Sequence, residues 1–371
     1  MINNISLHNF KCFREKQEIP LSQITIMYGK NGRGKSTVAQ ALLLVGQTMK
    51  KQNAIDPLQL IGEMVQMGNY EEVRSVLSEK TDIMGIGIKT KTEKLEMGFG
   101  AYEGKIQLAK LKSLRFNDEN RFEPKSTTDG DSDSQQFTGA LSDIKILQDL
   151  KDVSYVSANR FGPQNSVLRD DNLLPDWIGV RGEHVINILS NKGAEFIKEV
   201  EHHLSSILSG AALQVSNANS DYLELLMNSV DGSTCFRPVN VGFGYSFVLP
   251  VIVSTLLAKK GSLLIIENPE AHLHPGAQSR LMKFLIEESL NNNLQLIVET
   301  HSDHVVNGLR IAMKQSVMGI KPQNAQIVFF SHDNSETQPQ VSIIYCDSYG
   351  ELSEYPDDFL DEWTKQLVKL I

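Results

Sequence analysis

The sequence predicts an α/β fold: a mixed, largely parallel sheet flanked by helices, with an antiparallel β insertion and a helical lobe. Three observations carry that prediction. Residues Gly29 to Thr37 read GKNGRGKST, a full match to G-x-x-x-x-G-K-[ST], directly after the β-branched run Ile24 to Tyr28. Two later runs, Ser262 to Ile266 and Leu294 to Val298, have the short, continuous apolar character of buried parallel strands and are followed by Glu267 and Glu299. Between them lies an amphipathic helical stretch from His274 and Pro275 to about Leu290, the crossover that parallel strands require.

Ile2 to Phe10 and Phe13 to Ile19 alternate as paired strands, and Ile24 to Tyr28 enters the sheet core. The glycines that follow let the backbone curl so that successive N–H groups point at phosphate oxygens, while the helix from Lys35 to about Gln47 aims its positive end at them. Strand, glycine loop and helix in this order make a nucleoside triphosphate site. Its candidate residues are Gly29, Asn31, Gly32, Gly34, Lys35, Ser36 and Thr37, with Lys35 expected to reach the β and γ phosphates and Ser36 to ligate Mg²⁺. Asp56 to Glu79 reads as helical. Ile83 to Phe116 alternates as strands broken by turn-like TKT and YEG, an antiparallel insertion. Asn117 to Gln136 is polar and almost free of apolar side chains, so it is expected to be a mobile loop. Its Asp129, Asp131 and Asp133 do not make a calcium loop, because Ser134 and Ala140 stand where glycine and glutamate are required.

A strand is expected at Val153 to Val156, helices at Gly182 to Leu189 and Ala194 to Leu208, and strands near Leu213 and over Tyr222 to Asn228. Gly242, Gly244 and Ser246 open an apolar helix, and small residues at a helix start make a second anion-binding end. Glu267, at the tip of its strand, is expected to hold Mg²⁺ or its water. Asp357 to Ile371 reads as an amphipathic closing helix with Phe359, Trp363 and Leu367 on one face.

At 371 residues the chain exceeds one ordinary core. Hydrophobic content of 41% with 22% charged residues is globular, and no apolar run reaches the length that spans a bilayer. The amino terminus lacks a basic-then-apolar signal pattern, and Cys12, Cys235 and Cys346 form no CxxC pair, so a reduced, cytoplasmic protein is expected. A net charge of −9 argues against a surface that grips nucleic acid over its whole extent. Lys89, Lys91, Lys94, Lys105, Lys110, Lys112 and Arg115 gather in the β insertion, as a solvated face or a local nucleic-acid contact. His272 and His274 have no third ligand spaced for zinc and read as helix-entry residues, with Pro275 in the first turn. Arg160, after a strand, suits a phosphate or DNA contact and equally a structural ion pair, and Gln164 is a further candidate to sense nucleotide.

The segments NF-K-F (Asn9, Phe10, Lys11, Phe13), GKNGRGKST, VGFGYSFVLPVI, IENPEAHLHP and ETHSDHVVN together resemble the ABC-type ATPase heads of the RecF, SMC and OLD (overcoming lysogenization defect) group. The resemblance is nearest to stand-alone AAA-family ATPases with a carboxyl segment like GELSEYPDDFLDEW, Gly350 to Trp363 here. It spans nearly the whole chain, strong at the glycine loop and IENPEAHLHP and weak between residues 50 and 230. It implies ATP as nucleotide and Mg²⁺ at Ser36 and Glu267. It also implies a homodimer or higher oligomer in which one subunit's glycine loop and the other's Gly242, Gly244 and Ser246 sandwich the triphosphate, with His301 as the switch histidine. The organisation it implies places residues 1–55 as the amino-terminal part of the ATPase lobe and 56–150 as an inserted helical and β segment with a loop at 117–136. Residues 151–371 then carry the helical lobe and complete the ATPase lobe.

Relatives commonly place a glutamate directly after the strand-ending acid as the base that activates water. Here that position is Asn268, an amide that cannot take a proton. Either Glu270 or Glu299 performs the task, or hydrolysis is slow and the chain acts mainly as an ATP-gated clamp. Stand-alone ATPases of this resemblance, the Septu ATPase PtuA among them, are often encoded beside a nuclease or other toxic effector in antiphage systems. With no heptad arms and no room for a nuclease domain, the chain is expected to be the ATP-dependent sensor or scaffold of a separate effector. The alternatives are a RecF-like ATP-dependent DNA-binding repair protein and a hydrolysis-dead structural clamp.

Overall fold

The computed structural model describes residues 1–79, 82–124, 135–137, 141–216, 221–331 and 340–370. In chain order the first elements are β1 (Ile2–His8), β2 (Gln17–Pro20), β3 (Ile24–Gly29), α1 (Lys35–Gln52), β4 (Leu58–Gln59), α2 (Tyr70–Val73), β5 (Met84–Thr90), β6 (Lys94–Ala101), β7 (Leu108–Phe116), β8 (Glu119–Asn120), β9 (Phe122–Pro124), β10 (Gln135–Phe137) and α3 (Lys145–Lys151). There follow β11 (Ser154–Val156), β12 (Ser166–Leu168), α4 (Val185–Lys192), α5 (Ala194–Leu208), β13 (Ala212–Ser216), β14 (Tyr222–Asn228), α6 (Phe243–Leu257) and β15 (Leu263–Glu267). The last are α7 (Pro275–Asn291), β16 (Gln295–Thr300), α8 (Asp303–Lys314), β17 (Ala325–Phe330), β18 (Val341–Tyr345) and α9 (Glu362–Val368). The chain forms two compact units, one of residues 1–22, 30–153 and 330–342, the other of residues 23–29, 154–329 and 343–371.

The first unit is built on an antiparallel sheet of order β2-β1-β5-β6-β7-β4, with β8 on β7. Alternation sets its faces: Ile5, Leu7, Ile86, Ile88, Leu95 and Met97 are buried, while Ser6, Gly85, Gly87 and Glu96 take the other side. Helix α1 lies against α3 so closely that a Cβ at Gly46 would stand 2.7 Å from the Leu150 carbonyl oxygen.

Residues 56–79 are not the expected helix; apart from the single turn α2 they run as irregular chain and the short β4. Pro57, Gly62 and Gly68 (φ 82°) interrupt the helical pattern, and a buried side chain stands in for the missing ladder. Gln47 Oε1 accepts from the Met64 and Val65 N–H groups while its amide donates to the Gln59 carbonyl. The apolar periodicity read as helical serves a packed loop in which Leu58, Leu60, Met64 and Val65 are buried. The polar stretch 117–136 also departs from a plain loop. Its flanks carry β8 and the antiparallel pair β9–β10, registered Gln135 to Pro124, while residues 125–134, with the Asp129, Asp131 and Asp133 positions, lie outside the described residues.

The second unit holds a six-stranded sheet of order β11-β15-β16-β3-β17-β18, parallel from β11 through β3. These strands are mostly apolar because both faces are covered, and every residue of β3 and β16 is buried, the polar Gln295, Glu299 and Thr300 included. The register sets Glu267 beside Glu299 and Glu299 beside Met27, so three strands end at one edge. Helices α4 to α8 and the small sheet β12-β14-β13 complete the unit around a core that includes Ile26, Val248, Ile252, Leu281, Val298 and Phe329. Among the described residues no helix is long and apolar enough to cross a membrane.

The closing segment is helical only over α9. Asp358 (φ 65°) and Leu360 (φ 56°) break the pattern ahead of it, and of its expected apolar face Phe359 alone is buried, while Trp363 is 70% exposed. Phe359 meets the Tyr28 and Phe329 rings edge-on at centroid distances of 5.3 and 5.2 Å. Truncating Phe359 to alanine is therefore expected to cost about 3–5 kcal/mol in urea unfolding, against less than about 0.5 kcal/mol for Trp363→Ala. Equal midpoint shifts for the two variants would show that the segment is not anchored through Phe359.

Candidate functional site

The glycine loop of the first unit has the backbone its motif requires. Gly32 and Gly34 sit at φ 72° and 116°, in the region that L side chains rarely adopt. A Cβ at Gly34 would also lie 2.6 Å from Phe13 Cζ and 3.1 Å from Cys12 Sγ, so the Phe13 ring closes the space beside the loop. Lys35 is buried, and its ammonium donates to the Lys30 carbonyl at 2.7 Å, folding the side chain back over the loop. Asn31 and Gly32 are exposed, Ser36 is half-buried and Thr37 is buried. Neither a capping side chain nor an acidic residue occupies the first turn of α1, which keeps its dipole's positive end directed at the loop. Lys11 donates to Gln40 Oε1 at 2.8 Å, and burial pushes its ammonium below the usual range.

The acid-tipped edge of the second unit is organised by the segment after β11. Glu267 Oε2 accepts from the Ala158 N–H at 3.2 Å. Arg160 donates to the carbonyls of Ser157 (2.9 Å), Glu267 (2.8 Å) and Asn268 (2.6 Å). Tyr155 is buried beside Glu267, and burial together with that carboxylate pushes its phenol up. Asn268 turns the chain at φ 42° while its N–H reaches the Glu299 carbonyl at 2.7 Å, tying the end of β15 to that of β16.

The two oxygens of the Glu270 carboxylate are engaged unequally. One oxygen, Oε1, accepts from the His301 N–H at 3.2 Å, and the Thr300 hydroxyl also bonds the carboxylate. The other, Oε2, is buried without a hydrogen-bond partner among the described residues. Burial pushes this carboxyl above its ordinary value, opposed by Thr300, by main-chain N–H groups and by Arg160. The arrangement leaves one lone-pair edge free to accept a proton. Glu299 is 7% exposed within β16, and the His301 side chain, after the strand end, is exposed. Glu267, Glu270, Glu299 and His301 are thus gathered at one edge. Thr300 and Tyr155 join them unannounced by the sequence, the only hint for Thr300 being its place before His301.

At the start of α6, Gly242 and Phe243 are exposed, whereas Ser246 is buried with an unpartnered hydroxyl and lines a cavity of about 20 Å³ with Gln164 and Pro250. Gly244 is needed for packing: a Cβ there would stand 2.9 Å from the His272 carbonyl oxygen. His272 rests on Phe247 at 4.2 Å between ring centroids, and His274 caps α7 by accepting the Gly276 N–H. In the first unit, acids accompany Lys94 of the β insertion and the neighbouring Lys16. Lys94 meets Asp118 at 2.7 Å and Glu96 at 3.7 Å, and Lys16 meets Glu96 at 3.4 Å. No group of three or more His, Cys, Asp or Glu placed to hold a metal occurs among the described residues.

The fold is that of an SMC head. The head solved bound to the C-winged helix domain of ScpA superposes with a TM-score of 0.54 at 15% identity, over 93% of this chain and 97% of that one. The Smc head with an extended coiled coil, bound to a ScpA domain derived from Pyrococcus furiosus, gives 0.50 at 14% identity over 100% and 99% of the two chains. In sequence, a Helicobacter pylori protein named ATP/GTP phosphatase is 23% identical over 337 residues, 82% of this chain and 86% of that protein. An "AAA ATPase domain" model matches residues 1–171, and a family described as a protein of unknown function matches 320–370. The chain belongs to the family described as "AAA domain, putative AbiEii toxin, Type IV TA system", whose model matches residues 105–307. It is an ATPase-type domain with an ABC-like head fold.

Proposed function

We propose that this chain binds ATP on the Gly29 to Thr37 loop, hydrolyses it slowly with Glu270 as general base, and works as the nucleotide-driven sensor or scaffold subunit of an antiphage complex whose effector is a separate nuclease or toxin. The observation that carries the hydrolytic reading is the Glu270 carboxylate, with one oxygen held from the end of β16 and the other buried and unpartnered. A carboxylate whose pKa is raised by burial, yet kept in place by hydrogen bonds, is suited to take a proton from water. Lys35 binds the phosphates, and His301 responds to the γ phosphate. The exposed start of α6, with Gly242 and Gly244, serves a second copy's nucleotide, and the resulting homodimer is the state that engages the effector. Ser246, whose hydroxyl is buried and has no partner among the described residues, is proposed to complete that contact with the nucleotide.

Ser36 and Glu267 are the oxygen donors proposed for Mg²⁺, and so small a protein donor set fits an ion that takes the rest of its shell from phosphates and water. When bound, Mg²⁺ supplies positive charge that offsets the phosphate oxygens. The toxin system in the family's description supports a toxic component nearby, and the relative named ATP/GTP phosphatase supports hydrolysis while leaving GTP a competitor to be measured.

Phosphate release from ATP and from GTP, with gel filtration in the presence of a non-hydrolysable ATP analogue, tests the proposal. Slow release proportional to enzyme concentration, abolished by EDTA, and a nucleotide-dependent shift to a larger species are expected. Tight ATP binding with no release at any enzyme concentration would leave only a structural clamp.

A further inference from the structure

Arg160 is a charged side chain only 4% exposed, and both terminal nitrogens of its guanidinium donate to main-chain carbonyls, while Nε has no partner among the described residues. Two of these, on Glu267 and Asn268, are consecutive and belong to the turn that leaves β15; the third, on Ser157, belongs to the exit of β11. That turn is not one the chain adopts at no cost, because Asn268 sits at φ 42°. A planar guanidinium fork is the side chain best able to fix two neighbouring carbonyl directions at once. Two residues past Asn268 is Glu270, whose Oε1 must meet the His301 N–H. So enclosed a guanidinium presents almost no surface to a ligand phosphate; burial pushes its pKa down, and the charges of Glu270 and Glu267 oppose that from within the fold.

We propose that Arg160 is a positioning residue which, by gripping the Glu267 and Asn268 carbonyls, fixes the turn that presents Glu270, and that it does not itself read phosphate or nucleic acid. This rests on Glu270 being the base. A lysine in its place keeps the charge and the aliphatic stem but cannot hold the two carbonyls together, so the turn relaxes and the carboxylate loses its aim.

The test is a double-mutant cycle in the full-length chain: Arg160→Lys and Arg160→Met, each alone and combined with Glu270→Gln. Binding of a fluorescent ATP analogue, kcat and KM for phosphate release, and thermal melting are followed for each. Arg160→Lys is expected to leave analogue affinity and KM within about threefold of wild type while kcat falls about 100-fold, the scale of a misplacement near 1 Å. Added to Glu270→Gln, it is expected to cost no more than about threefold further, because both changes disable one device. An affinity loss of tenfold or more assigns Arg160 to phosphate and overturns the inference. So does a full multiplicative loss in the double variant. If Arg160→Met does not fold, Arg160→Lys carries the cycle. Turnover unchanged by Glu270→Gln alone sinks the reading of the base itself, a result separate from additivity seen after that variant has collapsed turnover.

Discussion

Lys35→Ala is expected to weaken ATP binding by at least about 100-fold, which corresponds to losing roughly two charge-assisted contacts of 1.5–3 kcal/mol each. The side chain is 3% exposed and held across its own loop by the 2.7 Å bond to the Lys30 carbonyl, so its ammonium is already ordered before any nucleotide arrives. A ligand phosphate then gains a fixed charge with little side-chain entropy left to lose. Alanine removes that charge and also the internal tie of the loop, while α1 retains its packing on α3. Calorimetric titration with ATP, together with a circular dichroism spectrum, separates lost binding from lost fold. An intact fold with affinity within threefold of wild type would detach the loop from nucleotide altogether, and the ATP-dependent change in assembly size is expected to vanish with the binding.

Local signals were legible in the sequence wherever the physics is local. The glycine loop, the apolar strands β15 and β16, and the Ala194 to Leu208 helix follow from backbone freedom, burial on two faces and 3.6-residue periodicity. What was not legible depends on partners distant in sequence. The apolar spacing over residues 56–79 is compatible with a helix, and only the buried Gln47 amide, serving the Met64 and Val65 N–H groups, decides for a packed loop. At the site, the acids and His301 could be named from their places at strand ends, but the duty of Arg160 could not. Phosphate contact and ion pair were both open, and the structure gives it a third task, three main-chain carbonyls. Gly244 shows the same limit. A glycine near a helix start reads as an anion site, while the close approach of the His272 carbonyl already demands it.

Glu270→Gln is expected to reduce kcat by about 10²–10⁴-fold with ATP affinity retained, the range that general-base catalysis contributes. The amide keeps the shape of the side chain and its hydrogen bond from the His301 N–H but cannot accept a proton. Glu299→Gln is expected to cost much less, because the duty that ties β16 to the turn is performed by the Glu299 main-chain carbonyl, which any side chain leaves in place. Two further signs come from burial. The working form of Glu270 is the carboxylate and its pKa is raised, so kcat should fall on acidification with a midpoint above the ordinary glutamate value of about 4.3. A carboxyl whose pKa is raised by folding contributes stability that is full below its unfolded value and is lost as pH rises through the folded one. Glutamine, neutral throughout, escapes that loss. Glu270→Gln should therefore melt higher than the wild type near pH 8, with the gap closing near pH 4.5, about the unfolded value. Thermal melts at the two pH values read this directly, and a wild type at least as stable as the variant near pH 8 would mean that the buried carboxylate is better satisfied than its unpartnered Oε2 indicates.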